Sequence, residues 1–516
     1  HIAQGSQCET LHFVPGHTLV GEGLNIVTMK PTRAFLINMQ NYYRADNTCT
    51  VCNNPHRNNQ LQKLPCALVD WKPINYCARK ISSKVFHSTV SAAEESSSRV
   101  QNDWKIGLNL DFGPLNAKNV LAGSHSTLTE FIESKTSTDR YTFTSYKLSC
   151  TYYSFRLGHI IQLTSHFKKA LDMLPTSYNN RTKHKYRHLI QTYGTHYISQ
   201  AEVGGEALDV TALRTCQIAM DGISVDELKD CLDIEINADL TGKVEAGAKA
   251  NSCKHLTQNM TKGESFHQTF NERSWQIMGG NMNFDLLSFD AKKGESACLF
   301  NKWLTSLKEI PALLTYSLEP LHTLMKSERP QKENLRKAIT EYIIENALQK
   351  DCLCPSDSQP SAGAECSCVC HASHQRGQNC CPTKRGLAKL MLTIKHGNDI
   401  WGDYMSKTDA YVKVRFGDNM IRTSTIWDNN NPIWNFSVDM GIVDLASIHE
   451  LMVEVWDEDK IDSDGLLGTC KKPLVIGEAS GICYLNHGSV TYAQNVICIP
   501  HLSGPKCQNY SPSKEK

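Results

Sequence analysis

Between Asp233 and Ala250 the chain reads DIEINADLTGKVEAGAKA, and polar and apolar residues alternate through nearly all of it. Ile234, Ile236, Ala238, Leu240, Val244, Ala246, Ala248 and Ala250 share one parity with Gly242, while Asp233, Glu235, Asn237, Asp239, Lys243, Glu245 and Lys249 hold the other. A period of two puts alternate side chains on opposite faces of an extended strand. The spacing therefore predicts a ribbon with one apolar and one polar face, much longer than the five or six residues of an average strand. The rhythm recurs at 104–112, where Trp104, Ile106, Leu108, Leu110 and Phe112 alternate with Lys105, Gly107, Asn109 and Asp111.

Each ribbon leads through a polar stretch to a second extended candidate. SHSTLTEFIESKTSTDR precedes YTFTSYKLSCTYYSFRL, which starts at Tyr141, and NSCKHLTQNMTKGE precedes SFHQTFNERSWQIMGG at 265–280. The chain thus holds two similar units, each a ribbon out, a polar middle and a ribbon back. STVSAAEESSSRVQND before the first unit is helix-prone, and His166 to Thr195 has helical spacing broken at Pro175. Leu335, Ile339, Ile343 and Leu348 mark an amphipathic helix. From Gly386 short β-rich runs separated by Gly, Asn and Asp turns predict a β-sandwich.

With 516 residues the chain is long enough for two to four domains. Its net charge of +1 leaves no electrostatic footprint for nucleic acid. No run of 18 apolar residues occurs, so strands would have to make any membrane crossing. The 21 cysteines point to an oxidising compartment and a secreted protein. Sequons at Asn180, Asn259 and Asn435 agree, with a weaker one at Asn509. The start at His1 shows no signal-peptide pattern, the expectation for a processed chain.

The clearest chemistry is the acidic set Asp403, Asp409, Asp457, Asp459 and Asp464, carried by WGDY, KTDAYVKV and VWDEDKIDSDGLLG. Calcium takes six to eight hard oxygens, and carboxylates on neighbouring loops of a sandwich can supply them; the alternative is ordinary acidic surface turns. TDAYVKV, NNNPIW and VWDEDKIDSDGLLG resemble the calcium-dependent lipid-binding C2 domain. That resemblance implies Asp403, Asp409, Asp457 and Asp459 as calcium ligands, with Asp464 nearby, and Trp401 and Tyr404 as membrane-entering tip residues. Gly465 stands where the family usually has an acid.

YGTHYISQAEVGGE, with Gly204 and Gly205 at a strand bend, resembles the signature of the membrane-attack-complex/perforin (MACPF) family; DWKIGLNLDFG, AGSHS, TALRTC, SFHQTF and SLEPLH agree. By itself His196 in that motif reads as a hydrogen-bonded core residue. The resemblance implies a multidomain fold: an α+β MACPF pore-forming domain at 1–350, a bent antiparallel sheet with flanking helical clusters. An EGF-like cysteine-rich module at 351–385, an all-β C2 sandwich at 386–500 and a tail at 501–516 follow. It also implies membrane-inserting segments at about 104–160 and 233–280, stored before insertion and extended into β-hairpins. Ala, Glu and Lys allow a stored helix, which Ile, Val and Gly weaken.

The implied protein is a secreted, calcium-dependent cytolysin held in secretory granules, monomeric in solution, binding phospholipid membranes and closing into homo-oligomeric rings. Only a closed barrel satisfies strand backbones in lipid, so many copies must contribute. Subunit contacts would involve Glu319 and His188, with Arg187 beside the latter, and Gly204 and Gly205 would form the hinge. The EGF-like resemblance implies Cys352–Cys366, Cys354–Cys368 and Cys370–Cys380, with Cys381 reaching Cys231. Position alone suggests Cys8–Cys49, Cys77–Cys150, Cys470–Cys483 and Cys498–Cys507. Cys52 and Cys66 are candidate partners, Cys298 is surplus, and Cys216 and Cys253 stay unassigned. A secreted calcium-dependent lipase is the enzymatic alternative, and a non-lytic adhesion protein the third. No G-x-S-x-G, HExxH or GxxxxGK[ST] motif occurs.

Overall fold

Two strands longer than any others among the described residues organise the computed structural model, which describes residues 1–514 apart from 78–81, 111–118, 242, 244–245, 261–265, 282–294, 364–365 and 403. In chain order the sheet that contains them is built from β1 (Glu22–Asn25), β2 (Lys30–Phe35), β3 (Leu68–Cys77), β4 (Ser82–Phe86), β5 (Tyr141–Leu157), β6 (His196–Arg214), β7 (Arg273–Met278) and β8 (Ala312–Pro320). The central pair is β5 and β6, antiparallel from Tyr141↔Arg214 to Arg156↔Gln200. Aromatic and β-branched residues fill β5, whose side chains are mostly buried on both faces, as a strand covered by helices requires.

The sheet bends where β5 and β6 slip register, between Thr151 and Tyr153, beside Gly204 and Gly205. Above the bend β8 pairs with β6 and β3 with β5; below it β7 pairs with β6 and β4 with β5. Glycine is needed there for space. A Cβ at Gly204 would sit 1.9 Å from the Cys150 carbonyl oxygen, and one at Gly205 would sit 2.3 Å from Leu307 Cδ2.

Helices cover the sheet. They are α1 (Thr89–Ser97), α2 (Thr127–Thr136), α3 (Ser165–Asp172), α4 (Lys183–Tyr193), α5 (Val225–Thr241), α6 (Ala248–Met260), α7 (Glu295–Ser306) and α8 (Pro330–Asn346). Ser88 and Ser126 cap α1 and α2 with their side chains, and Ser96 joins the two through Ser126 at 2.8 Å. The break at Pro175 separates α3 from α4 as expected.

The stretch at 233–250, expected as a strand, is helical through Thr241 and again from Ala248. Leu228, Leu232 and Ile236, spaced four apart, are buried on one face of α5 with Cys231. A 3.6-residue stripe thus coexists with the two-residue alternation, and packing selects the helix because a lone ribbon has no partner for its backbone or its apolar face. Trp104 to Leu110, also expected as a strand, forms turns that bury Trp104, Leu108 and Leu110 and leave Ile106 exposed; 111–118 lie outside the described residues. Among the described residues of 265–280 only Arg273–Met278 is extended, and Phe266–Thr269 is helical.

The C-terminal sandwich has two four-stranded sheets. One orders β12 (Ile433–Asp444), β9 (Leu387–Asn398), β16 (Ser489–Cys498) and β15 (Gly477–Tyr484); the other orders β11 (Asn419–Arg422), β10 (Ala410–Phe416), β13 (Leu451–Asp457) and β14 (Gly465–Lys472). Leu390, Leu392, Ile394, Val412, Val414, Val453 and Val455 fill the space between them.

Disulfides join Cys8–Cys49, Cys77–Cys150, Cys352–Cys366, Cys354–Cys368, Cys370–Cys380, Cys470–Cys483 and Cys498–Cys507. Cys381 bonds to Cys216, not to Cys231, which instead bonds to Cys253. The reason is position: Cys216 opens a short helix directly after β6, against the cysteine-rich module, whereas Cys231 faces α6. Cys52, Cys66 and Cys298 carry no disulfide, so Cys52 and Cys66 are not partners. The tail folds back: Leu502 and Cys507 are buried, and Tyr510 and the Ser513 amide donate to Asp139, just before β5.

Candidate membrane-interaction site

At one end of the sandwich the loops 399–409 and 457–465 lie side by side. The Asp457 carboxylate accepts from the Asp409 amide at 2.8 Å, and the Asp409 carboxylate accepts from the Asp428 amide at 2.7 Å. Asn430 and Asn431 brace the first loop, accepting from the amides of Thr408 (3.0 Å) and Asp399 (2.8 Å). Asp464 is turned the other way. It accepts from Tyr411 Oη at 2.6 Å and from the Asp459 amide at 3.2 Å, and the tyrosine hydrogen bond holds its carboxyl below the usual range. Asp403 lies outside the described residues.

Among the described residues no three acidic, histidine or cysteine side chains gather tightly enough to hold an ion. The donor chemistry nevertheless suits calcium: Asp409, Asp457 and Asp459 offer hard oxygens from adjacent loops. Gly402 keeps the space beside them open, since a Cβ there would come within 3.5 Å of Asp457 Oδ2 and 2.6 Å of Leu467 Cδ2.

Of the two expected tip residues, Tyr404 projects into solvent at 91 % exposure. Trp401 is half-buried, its ring stacked on His487 with centroids 3.5 Å apart and 4.9 Å from the Tyr404 ring. Two tip residues were missed by sequence reading, Met405 at 93 % and Ile461 at 95 % exposure. The available signal was, for Ile461, an isolated apolar residue inside an acidic loop and, for Met405, its place directly after Tyr404.

The second part of the site is the pair of excursions between strands. The chain leaves β4 at Phe86, passes through α1 and α2, and returns at Tyr141; it leaves β6 at Arg214, passes through α5 and α6, and returns at Arg273. Both helical clusters thus replace the continuation of hydrogen-bonded strand pairs. The first is stitched to the body through carbonyls, His196 Nε2 donating to Trp104 (2.9 Å) and Arg336 and Thr340 to Leu108 (2.8 Å each). His196 is fully buried, also hydrogen bonded to Thr195 Oγ1 at 2.7 Å, and desolvation pushes it down to about 4, so it is a neutral positioning residue. The second is held by Cys231–Cys253, by Ser83 donating to Asp233 (3.0 Å), by the Phe266 amide donating to Glu235 (2.7 Å), and by Lys249–Asp230 (3.1 Å). At the bend Glu206 is buried and paired with Arg99 and, at 3.6 Å, with Lys147.

Glu319 lies half-buried on β8, where desolvation raises its carboxyl. His188 is exposed on α4, while Arg187 is already paired with Glu345 at 2.8 Å and lies over the Tyr342 ring. Asn180 and Asn435 are exposed, and Asn259 lies on α6.

A family model described as the MAC/Perforin domain matches residues 14–352, and one for the C2 domain matches 388–481. The chain is 40% identical to Perforin-1 of Homo sapiens over 99% of its length and 93% of that protein, and 38% identical to Perforin-1 of Mus musculus with the same coverage. Complement component C6 of Bos taurus is 27% identical over 53% of this chain and 28% of its own length.

Proposed function

Because this chain belongs to the MAC/perforin family, we propose that it is a secreted pore-forming cytolytic protein that docks on phospholipid membranes through calcium and its C2 domain. The single observation that supports this best is the pair of excursions, Phe86 to Tyr141 and Arg214 to Arg273, each departing from and returning to adjacent lower strands of one sheet. Each can extend that sheet without disturbing the strands above the bend.

Asp403, Asp409, Asp457 and Asp459 would hold calcium, which supplies a bridge between the acidic loops and lipid phosphate. Tyr404, Met405 and Ile461 then enter the interface. The segments at about 104–160 and 233–280 give up their helices and join a barrel closed by many copies, as backbone satisfaction in lipid demands. Gly204 and Gly205 serve as the hinge, and Glu319 meets His188 of a neighbouring copy. Storage in secretory granules and glycans at Asn180, Asn259 and Asn435 would fit a secreted cytolysin, and no enzymatic turnover is expected of it.

Dye release from calcium-treated phosphatidylcholine vesicles tests the reading. Leakage with rings in electron micrographs and no free fatty acid is expected. Fatty acid release would indicate a lipase, and calcium-dependent binding without leakage would indicate an adhesion protein; either result overturns the proposal.

A further inference from the structure

The lower strands carry a register that the sequence beyond them obeys. In the β6–β7 ladder Arg273 pairs with Thr211, Trp275 with Asp209 and Met278 with Glu206, and each pair of residue numbers adds to 484. The disulfide across the stored helices joins Cys231 to Cys253, whose numbers also add to 484. If both strands simply continued past Thr211 and Arg273, these two cysteines would meet face to face. Their Cα atoms are already 5.5 Å apart, within the roughly 4.5–5.5 Å that separates directly opposed residues of an antiparallel pair.

We infer that the Cys231–Cys253 disulfide survives insertion and pins the register of the second hairpin, with its turn centred on residue 242 rather than in the polar stretch at 251–264. This rests on the pore-forming reading above. A turn within 251–264 would put Cys231 and Cys253 far apart along the hairpin, which an intact bond forbids.

Side-chain chemistry supports the register independently. Because 484 is even, opposed residues share parity: Ile234 meets Ala250, Ile236 meets Ala248 and Ala238 meets Ala246, while Asp233 meets Asn251 and Glu235 meets Lys249. Apolar faces apolar, as in any even register, and Glu235 faces Lys249, while Asp239 faces Glu245 next to the turn, where both carboxylates are open to water. A ribbon whose alternation passes through its own turn unbroken needs this symmetry. The cysteines fall on the polar parity, so the bond faces the lumen and not lipid. Gly242, at the centre of the register, is the residue there best able to take a tight-turn backbone, and about ten residues on each side of it span to the cystine, the length that crosses a bilayer core.

The first hairpin gives a second check. In the β4–β5 ladder Ser82 pairs with Lys147 and Phe86 with Phe143, numbers adding to 229, which centres its turn between 114 and 115 in GPLN. Tyr141 and Arg214 are level in the sheet. From that level the first turn lies about 26 residues down β5 and the second about 28 down β6, so both tips reach nearly the same depth, roughly 90 Å of strand. Two hairpins of one barrel must do so.

Cysteine pairs in the full-length protein, assembled on phosphatidylcholine vesicles with calcium, test the register. In the stored form Lys249 pairs with Asp230 and Glu235 accepts from the Phe266 amide; in leaking vesicles Glu235→Cys with Lys249→Cys should be the dominant cross-link under mild oxidant. Glu235→Cys with Asn251→Cys, and Lys249→Cys with Ser265→Cys, should cross-link far less by peptide mass spectrometry. Predominance of either control pair, or no cross-link in leaking vesicles, overturns the register while leaving the pore intact. Failure of the unmodified protein to leak removes the pore reading itself and this inference with it. Should the variants not fold, rings of the unmodified protein washed from leaking vesicles decide the matter. The Cys231–Cys253 cystine recovered whole supports the inference, and its recovery as two alkylated thiols overturns it.

Discussion

Leu307, fully buried, packs directly onto the bend glycine, and the fit is tight enough to predict its energetics. In Gly205→Ala the new methyl would lie 2.3 and 2.4 Å from the two Leu307 methyls and 2.9 Å from Cγ, an overlap of about 1 Å with ordinary contact. Overpacking of this kind costs about 1–3 kcal/mol because a side chain, unlike backbone, can yield. Leu307→Ala removes the same contact from the other side and leaves a cavity, at about 2–5 kcal/mol. In the double variant the new methyl occupies part of that cavity. The pair should therefore be less destabilised than the sum of the singles by about 1 kcal/mol or more. The assay is the first thermal transition of the soluble protein, since several domains preclude a single two-state value. Strictly additive shifts would refute the packing argument, as would an unchanged transition in Gly205→Ala. Gly204→Ala offers no such relief, because its methyl meets a carbonyl oxygen at 1.9 Å; loss of folded, secreted protein is expected.

Acid should weaken the body. His196 falls from 6.5 to about 4 in the folded state, so the unfolded chain binds the extra proton between those values; stability is full above about pH 6.5 and declines toward pH 4, by about 2 kcal/mol at pH 5 from this group alone. Melting at pH 7.5 and pH 5 checks this, and His196→Gln should shrink the difference, leaving the part owed to His322, which desolvation also lowers to about 4. Ile461→Ser and Met405→Ser should each weaken calcium-dependent vesicle binding about tenfold if the side chain leaves water on docking, measured by sedimentation; unchanged binding would place these tips outside the interface. Charge reversal in Glu319→Lys should leave vesicle binding intact and abolish rings in micrographs, so normal rings would exclude Glu319 from the subunit contact.

The acidic loops, the sandwich and most disulfides were legible because each depends on residues close in sequence or on a recurring order of motifs. The alternation at 233–250 was legible too, but the folded protein holds this stretch largely as helix, and on the proposed function the alternation serves the inserted state. Leu228, Leu232 and Ile236 carry the competing helical stripe, and only burial against the rest of the body shows which pattern packs. Cys381 could not be assigned to Cys216 rather than Cys231 from spacing, since both precede it by well over a hundred residues. The stack of Trp401 on His487 was not legible, because nothing local announces a histidine so distant in sequence.

The fastening of the carboxyl-terminal segment has a geometric consequence. Asp139, which receives Tyr510 and Ser513, precedes β5, and Cys216, which receives Cys381, follows β6. The segments flanking the sandwich are thus strapped to two neighbouring strand ends, the one where the first excursion returns to β5 and the one where the second departs from β6. On the proposed function, a sandwich docked on lipid would act as a spacer that sets how high those ends stand above the bilayer. Hairpin length is a fixed count of residues, so spacer and hairpins have to be matched like the legs and the plumb line of one instrument.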